Sequence, residues 1–275
     1  MQQPQFGLKR AASERAAFVM GIVNVTPDSF YEGSRGGIDR ALQLIDEGAD
    51  ILDIGGESTR PGYTPVTADE EIALRMPVIQ AVRKHSSIPI SVDTSKLSVF
   101  KAAFAAGADI WNDVTALSGN TKTNADGTAA SMQEADWLSA EYLAKTGASV
   151  ILMHSGPASR KEVSDFLGQR TVFCLSNGVA SEKIILDPGI GFGKTYEQNL
   201  ELISNPLSIC GGRYPVLMAL SRKRCIGEMT GKDTEERLAG TLAANLISVQ
   251  RGARIIRVHD VSAAIDSLNV MKNLR

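Results

Sequence analysis

The sequence predicts an α/β fold, a single-domain (β/α)8 barrel of eight parallel strands alternating with helices. Three observations predict it. Short β-branched runs recur eight times, helix-patterned segments stand between them, and chemically capable polar residues lie at or just beyond the end of each run. In such a barrel every C-terminal strand end opens on one mouth, so these polar residues would be gathered into one pocket.

The runs come in order. FVMGIV (18–23) is followed by Asn24, and ADILDI (49–54) contains Asp53 and leads into GGESTRPG. IPISV (88–92) ends on Asp93, ADIW (108–111) on Asn112, and ASVILM (148–153) on His154. KIILD (183–187) closes with Asp187, YPVLMAL (214–220) precedes Ser221, Arg222 and Lys223, and ARIIRVH (253–259) carries Arg257 and His259. Between them, GIDRALQLIDEG (37–48) has apolar residues at helical spacing, and 69–85 begins acidic and ends basic, as the helix dipole favours. SKLSVFKAAFAAG (95–107) and ERLAGTLAANLISVQRG (236–252) stop at Gly107 and Gly252. Two stretches break the rhythm: the polar segment 117–131, which reads as a surface insertion after the fourth strand, and Ser155–Glu182, which lacks a clean helical pattern.

The 275 residues fit one barrel, for which about 250 is typical. Residues 1–17 read as an N-terminal extension and 18–275 as the barrel domain. A net charge of −2 without a basic stripe argues against a nucleic-acid binder. No apolar stretch approaches the roughly 20 residues that span a bilayer, and the N-terminus lacks a secretory apolar core, so neither a membrane nor export is expected. Cys174, Cys210 and Cys225 are widely spaced and odd in number, which fits reduced thiols in the cytoplasm and no structural zinc.

Several positions carry chemistry. In GGESTRPG (55–62), the glycines allow a sharp turn, while Thr59 and Arg60 supply a hydroxyl and a fork donor suited to oxyanions; the alternative is an ordinary turn. DPGIGFGKT (187–195) is not a Walker A loop, because Pro188 stands where the first glycine is needed. Asp93, Asn112 and Asp187 end three strands and suit a heterocycle with a guanidine-like edge, although Asp93 could instead cap the following helix. Lys223, Arg257 and His259 make the mouth cationic. Arg257 and His259 share an inward face, where a phosphate or pyrophosphate would balance them; pairing with Asp260 or another carboxylate is the alternative. His154 reads as a satisfied core residue. No covalent nucleophile with a paired base is evident, so the pocket suits binding and charge stabilisation.

Eight motifs in register from about Met20 to Val270 resemble the dihydropteroate synthases of folate biosynthesis. They are GIVNVTPDSF (21–30), ILDIGGESTRPG (51–62), SVDTSK (91–96), NDV (112–114), LMH (152–154), IILDPGIGFGKT (184–195), SRK (221–223) and IIRVHDV (255–261). The resemblance implies a transferase that condenses 6-hydroxymethyl-7,8-dihydropterin pyrophosphate with p-aminobenzoate, giving 7,8-dihydropteroate and pyrophosphate. It implies that Asp93, Asn112, Asp187 and Lys223 cradle the pterin, and that Asn24 contacts Mg²⁺. Thr59, Arg257 and His259 would hold the pyrophosphate, while Arg60, Pro61, Phe30, Phe192 and Ser221 would shape the substrate pocket. Lys223, Arg257, His259 and Asp187 would carry catalysis. A homodimer and sulfonamide sensitivity are also implied. The chain departs from the usual pattern at Tyr31, Glu32, Gly33 and Ser34, at Arg224, and in SGPASRKEV after His154, which points to altered sulfonamide sensitivity. Two rivals share the barrel: a pterin-dependent methyltransferase, which has no need of STRPG, SRK and RVH, and a catalytically inactive pterin-binding homologue.

Overall fold

The computed structural model describes residues 16–25, 33–55, 67–118 and 134–274. Its first half runs β1 (Phe18–Asn24), α1 (Gly33–Asp46), β2 (Ile51–Gly55), α2 (Ala68–His85), β3 (Ile90–Asp93), α3 (Leu97–Ala105), β4 (Ile110–Asp113) and α4 (Glu134–Thr146). The second half runs β5 (Ser149–Met153), α5 (Arg160–Ser176), β6 (Ile184–Asp187), α6 (Tyr196–Ser204), β7 (Leu217–Met218), α7 (Arg224–Thr230), α8 (Leu238–Gln250), β8 (Ile255–Val258) and α9 (Val261–Asn273). All strand pairs are parallel, in the order β6-β5-β4-β3-β2-β1-β8-β7. A bridge between Leu186 and Val216, with Leu186 N–H donating to the Pro215 carbonyl at 3.0 Å, joins β6 to the chain entering β7 and closes the ring. This is the expected (β/α)8 barrel.

The strand period of two sorts the side chains. Met20, Ile51, Ile110, Ile151, Ile185, Leu217, Ala219 and Ile255 pack together inside the barrel. Their neighbours Val19, Leu52, Ile256 and Val258 face the helices on one side, and Trp111, Leu152 and Leu186 on the other. On five strands the position two residues beyond the last inward apolar side chain is polar: Asp53 above Ile51, Asn112 above Ile110, Asp187 above Ile185, Ser221 above Ala219 and Arg257 above Ile255. The apolar plug therefore ends where the functional layer begins.

The stretch without a clean helical pattern holds a 17-residue helix, α5. Its apolar residues fall on both faces, with Val163, Leu167 and Cys174 buried but Val172 62% exposed, which blurs the periodicity. A capping box starts it: Ser159 Oγ accepts from Glu162 N–H at 3.4 Å, and Glu162 accepts from Ser159 N–H at 2.7 Å. Of the 117–131 insertion, 119–131 lies outside the described residues, as do 1–15 of the N-terminal extension. At the insertion's root, Asp113 accepts the N–H groups of Thr115 and Leu117, each at 2.8 Å, and holds Ala116 and Leu117 in left-handed conformations. Among the described residues no helix is long and apolar enough to cross a membrane.

Candidate active site

Asp53, Asp93, Asn112, Asp187, Ser221, Lys223 and Arg257 meet at the C-terminal mouth. Arg257 lies at their centre. Its Nε donates to Asp53 Oδ2 at 2.6 Å, and its Nη2 to Asp93 Oδ2 at 3.3 Å. Asn112 Nδ2 lies 3.2 Å from Asp53 Oδ2 and 3.4 Å from Oδ1. Asp53 is fully buried, and its partners stand on β4 and β8.

These pairings correct one step of the sequence argument. The inward Arg257 finds its counter-charge in Asp53 and Asp93, so its burial does not by itself require a bound phosphate. Asp260 does not serve Arg257 either. It holds Arg222 through two bonds, at 2.9 and 3.0 Å. Asp93 is not a helix cap, because Lys96 occupies that position before α3.

Burial pushes the Asp93 carboxyl up to about 7, reinforced by the neighbouring Asp53 charge and opposed by Arg257. The chain beneath it is braced from outside the barrel. Arg75, fully buried on α2, donates to the Asp93 carbonyl at 2.8 Å and pairs with Glu71. Glu71 also takes Lys96 and, at 3.0 Å, the Thr94 hydroxyl, while Trp111 Nε1 donates to the Thr94 carbonyl at 2.6 Å. The motif SVDTSK is thus fixed by a buried ion network, part of it in the segment whose sequence showed an acidic start and a basic end.

Across the mouth, Asp187 Oδ1 accepts the Gly189 N–H at 2.7 Å, and burial raises its pKa. Lys223 donates to the Ile190 carbonyl and lies 4.8 Å from the centre of the Phe192 ring, a cation–π contact. Burial lowers its pKa to about 8, with Asp187 opposing. The glycine-rich loop between them is built around Lys194. This amine is 3% exposed and contacts His154 Nδ1 at 3.1 Å and the carbonyls of Gly189, His154 and Gly156 at 3.0, 3.3 and 3.4 Å. His154 also packs edge-on against Phe166, and burial with Lys194 brings its pKa down to about 4. His154 is a satisfied core residue, as the sequence suggested.

His259 hydrogen-bonds Ser221 twice, Nδ1 to Oγ at 2.9 Å and its N–H to the same oxygen at 3.2 Å. Burial and the Arg257 charge depress its pKa. Arg222 between Ser221 and Lys223 has φ 54°, a left-handed conformation secured by Asp260, by Thr241 Oγ1 on its N–H at 3.0 Å and by Arg237 on its carbonyl at 3.1 Å. Arg224 points outward, 80% exposed, and pairs with Glu228. Asn24 ends β1 with an exposed side chain. Phe30, Thr59, Arg60 and Pro61 lie outside the described residues, with Tyr31, Glu32 and the side chain of Ser34.

Fold and site together define a barrel enzyme whose mouth offers carboxylates to a polar ring beside a cationic rim. A family model described as pterin binding enzyme matches residues 20–259. A dihydropteroate synthase of Streptococcus pyogenes is 40% identical over 273 residues, covering 95% of this chain and 97% of that protein. Among solved structures, the Xanthomonas albilineans dihydropteroate synthase with 4-aminobenzoic acid matches at 41% identity and a TM-score of 0.83, covering 94% of this chain and 93% of the other. The same enzyme in complex with 7,8-dihydropteroate matches at 38% identity and a TM-score of 0.80, covering 94% and 92%. The chain belongs to the dihydropteroate synthase family of pterin binding enzymes.

Proposed function

We infer that this chain is a transferase joining the methylene carbon of 6-hydroxymethyl-7,8-dihydropterin pyrophosphate to the amine of p-aminobenzoate, forming 7,8-dihydropteroate. The observation that carries this is the cluster of Asp93, Asn112, Asp187, Lys223 and Arg257 at one mouth, in a chain about 40% identical end to end to dihydropteroate synthases.

The roles follow from the chemistry of each group. Asp93, Asn112 and Asp187 present acceptors to the ring N–H groups, and Lys223 donates to a ring acceptor. As the C–O bond breaks, negative charge grows on the departing pyrophosphate and positive charge on the pterin methylene. Arg257 and His259 are assigned to the leaving group, with Thr59 beside them; Asp93 and Asp187 stabilise the electron-poor ring. The arylamine then attacks with no strong base required, in a pocket shaped by Phe30, Arg60, Pro61, Phe192 and Ser221. Heterolysis ahead of attack makes rate depend on leaving-group acidity; a rate that tracks only amine nucleophilicity contradicts that order.

Mg²⁺ fits the donors present. Asn24 offers a hard carboxamide oxygen at the mouth, and among the described residues no three acidic, histidine or cysteine side chains form a metal cage. An ion held by Asn24 would complete its shell from pyrophosphate and water, as Mg²⁺ commonly does. When bound it neutralises negative charge on the pyrophosphate. The family resemblance also supports a homodimer, checked by light scattering, and a sulfonamide-binding aminobenzoate pocket. Because Tyr31 and Glu32 replace the usual residues, sulfonamide inhibition constants are expected to differ from those of a standard family member measured in parallel.

The test is pyrophosphate release by purified protein given dihydropterin pyrophosphate and Mg²⁺, with and without p-aminobenzoate. Release that requires p-aminobenzoate and yields dihydropteroate supports the synthase; tight pterin binding without turnover refutes it.

A further inference from the structure

Asp53 stands apart from the residues assigned above. It is 0% exposed, lies mid-strand in β2, and hydrogen-bonds Arg257 and Asn112. A carboxylate has no proton to give, so the Asn112 group facing it must be the NH₂. The Nδ2 distances of 3.2 and 3.4 Å agree. That fixes the amide rotamer: Asn112 Oδ1 points away from Asp53, and no described residue donates to it.

We propose that Asp53 is a positioning residue that sets the hydrogen-bond polarity of the pocket floor, holding Asn112 so that it offers the ligand an acceptor. This rests on the synthase reading and sharpens it. The floor then selects a ring carrying an N–H at that point over one carrying a lone pair. A free Asn112 amide could turn either way and would accept both; with Asp53 beneath it, only one polarity is available. The same carboxylate anchors Arg257 Nε at 2.6 Å, so one buried group ties the ring-facing amide on β4 to the cation on β8.

Amide replacement inverts this logic in a checkable way. In Asp53→Asn the new carboxamide has one oxygen and one NH₂. The charged Arg257 Nε claims the oxygen, since a charge-assisted bond is the stronger one. The NH₂ then takes the Oδ1 position, 3.4 Å from Asn112 Nδ2, where two NH₂ groups repel; the favoured response is for Asn112 to flip, accept from it and turn its own NH₂ toward the ligand. Adding Asn112→Asp restores the arrangement: the new carboxylate at 112 accepts from the carboxamide at 53 with one oxygen and offers the other to the pocket. Total charge matches the wild type.

The experiment is calorimetric titration of 6-hydroxymethyl-7,8-dihydropterin into wild type, D53N and the D53N/N112D double variant, with KM measured for both substrates. D53N is expected to bind the pterin at least tenfold more weakly, with its pterin KM raised and its p-aminobenzoate KM within twofold of wild type. The double variant is expected to return to within threefold of wild-type affinity, a rescue that a merely structural role for Asp53 does not produce. Wild-type affinity in D53N, or a folded double variant as weak as D53N, overturns the proposal. If D53N fails to fold, binding by the double variant alone decides between these outcomes. If neither folds, the wild-type Asn112 side-chain amide protons decide: slow hydrogen exchange without ligand supports the bond to Asp53, and free exchange refutes it. A wild type that binds no dihydropterin condemns the synthase reading instead.

Discussion

Replacing Asp93 by Asn should stabilise the protein at neutral and alkaline pH while impairing it as an enzyme. Asp93 competes with Asp53 for one guanidinium and holds the weaker share, 3.3 Å against 2.6 Å. Its folded pKa of about 7 lies above the ordinary 3.8, so the folded chain binds this proton more tightly than the unfolded chain does. The sign follows: stability from this group is present in full below the unfolded value and is lost as the pH rises through the folded one. A rise of about three pH units at 1.36 kcal/mol each sets a ceiling of about 4 kcal/mol. One fifth of the side chain remains exposed, and solvent screening there brings the expected figure to about 2 kcal/mol. The amide keeps an oxygen for Arg257 but has nothing to ionise. Urea unfolding of wild type and Asp93→Asn at intervals from pH 4 to 8 reads the difference, in which titrating groups remote from Asp93 cancel. The two proteins should coincide near pH 4, and the variant should be about 2 kcal/mol more stable at pH 8, with pterin KM raised. A gap independent of pH, or a variant less stable than wild type at pH 8, refutes the assignment of a costly carboxylate.

Two further outcomes follow from the loops around the site. Gly189 has φ +70°, and a Cβ there would lie 1.8 Å from the His154 carbonyl oxygen. Gly189→Ala should therefore cost at least about 1–3 kcal/mol from backbone strain alone, and it should raise the pterin KM by displacing the Asp187 loop; unchanged urea stability would contradict the close approach. Ser159→Ala removes the capping oxygen of α5 and should cost about 1 kcal/mol of stability, with both KM values within twofold of wild type, because the cap lies on the exposed side of the loop.

The barrel was legible because β-branched runs recur eight times with helix-patterned segments between them and polar residues at or just beyond their ends. Asp93, Asn112, Asp187, Ser221, Lys223 and Arg257 were visible as strand-end or just-beyond polar residues, and the structure brings them together. Asp53 was noted inside its apolar run but given no role, although its parity with Ile51 matches that of Asn112 with Ile110. What hid its role is distance along the chain: its partners lie 59 and 204 residues away. Glu71 and Arg75 had the same fate, since an i,i+4 pair usually marks a solvated face, and only the packing of α2 on β3 buries it. Lys194 sat in a loop examined for phosphate binding, and it proved to be a brace between two strand-end loops. Helix α5 escaped for a different reason: its capping box was readable, but its apolar residues do not keep to one face.

The unequal bonds of Arg257 connect stability with function. Its Nε is tied to a carboxylate with no exposure, so that end of the guanidinium is fixed by the fold. Its Nη2 meets a carboxylate that is partly open and poorly compensated. Asp53 thus belongs to the scaffold, and Asp93 is the exchangeable partner. On the proposed function, a ring bringing N–H donors would supply Asp93 with what the protein withholds, and would loosen the claim of Asp93 on Nη2 without unseating Arg257. A carboxylate that burial makes costly to the ligand-free barrel accordingly has much to gain from a donor-rich ligand. The pH-dependent gap between wild type and Asp93→Asn should therefore shrink when saturating dihydropterin is present; a gap unchanged by ligand would show that Asp93 does not meet the ring.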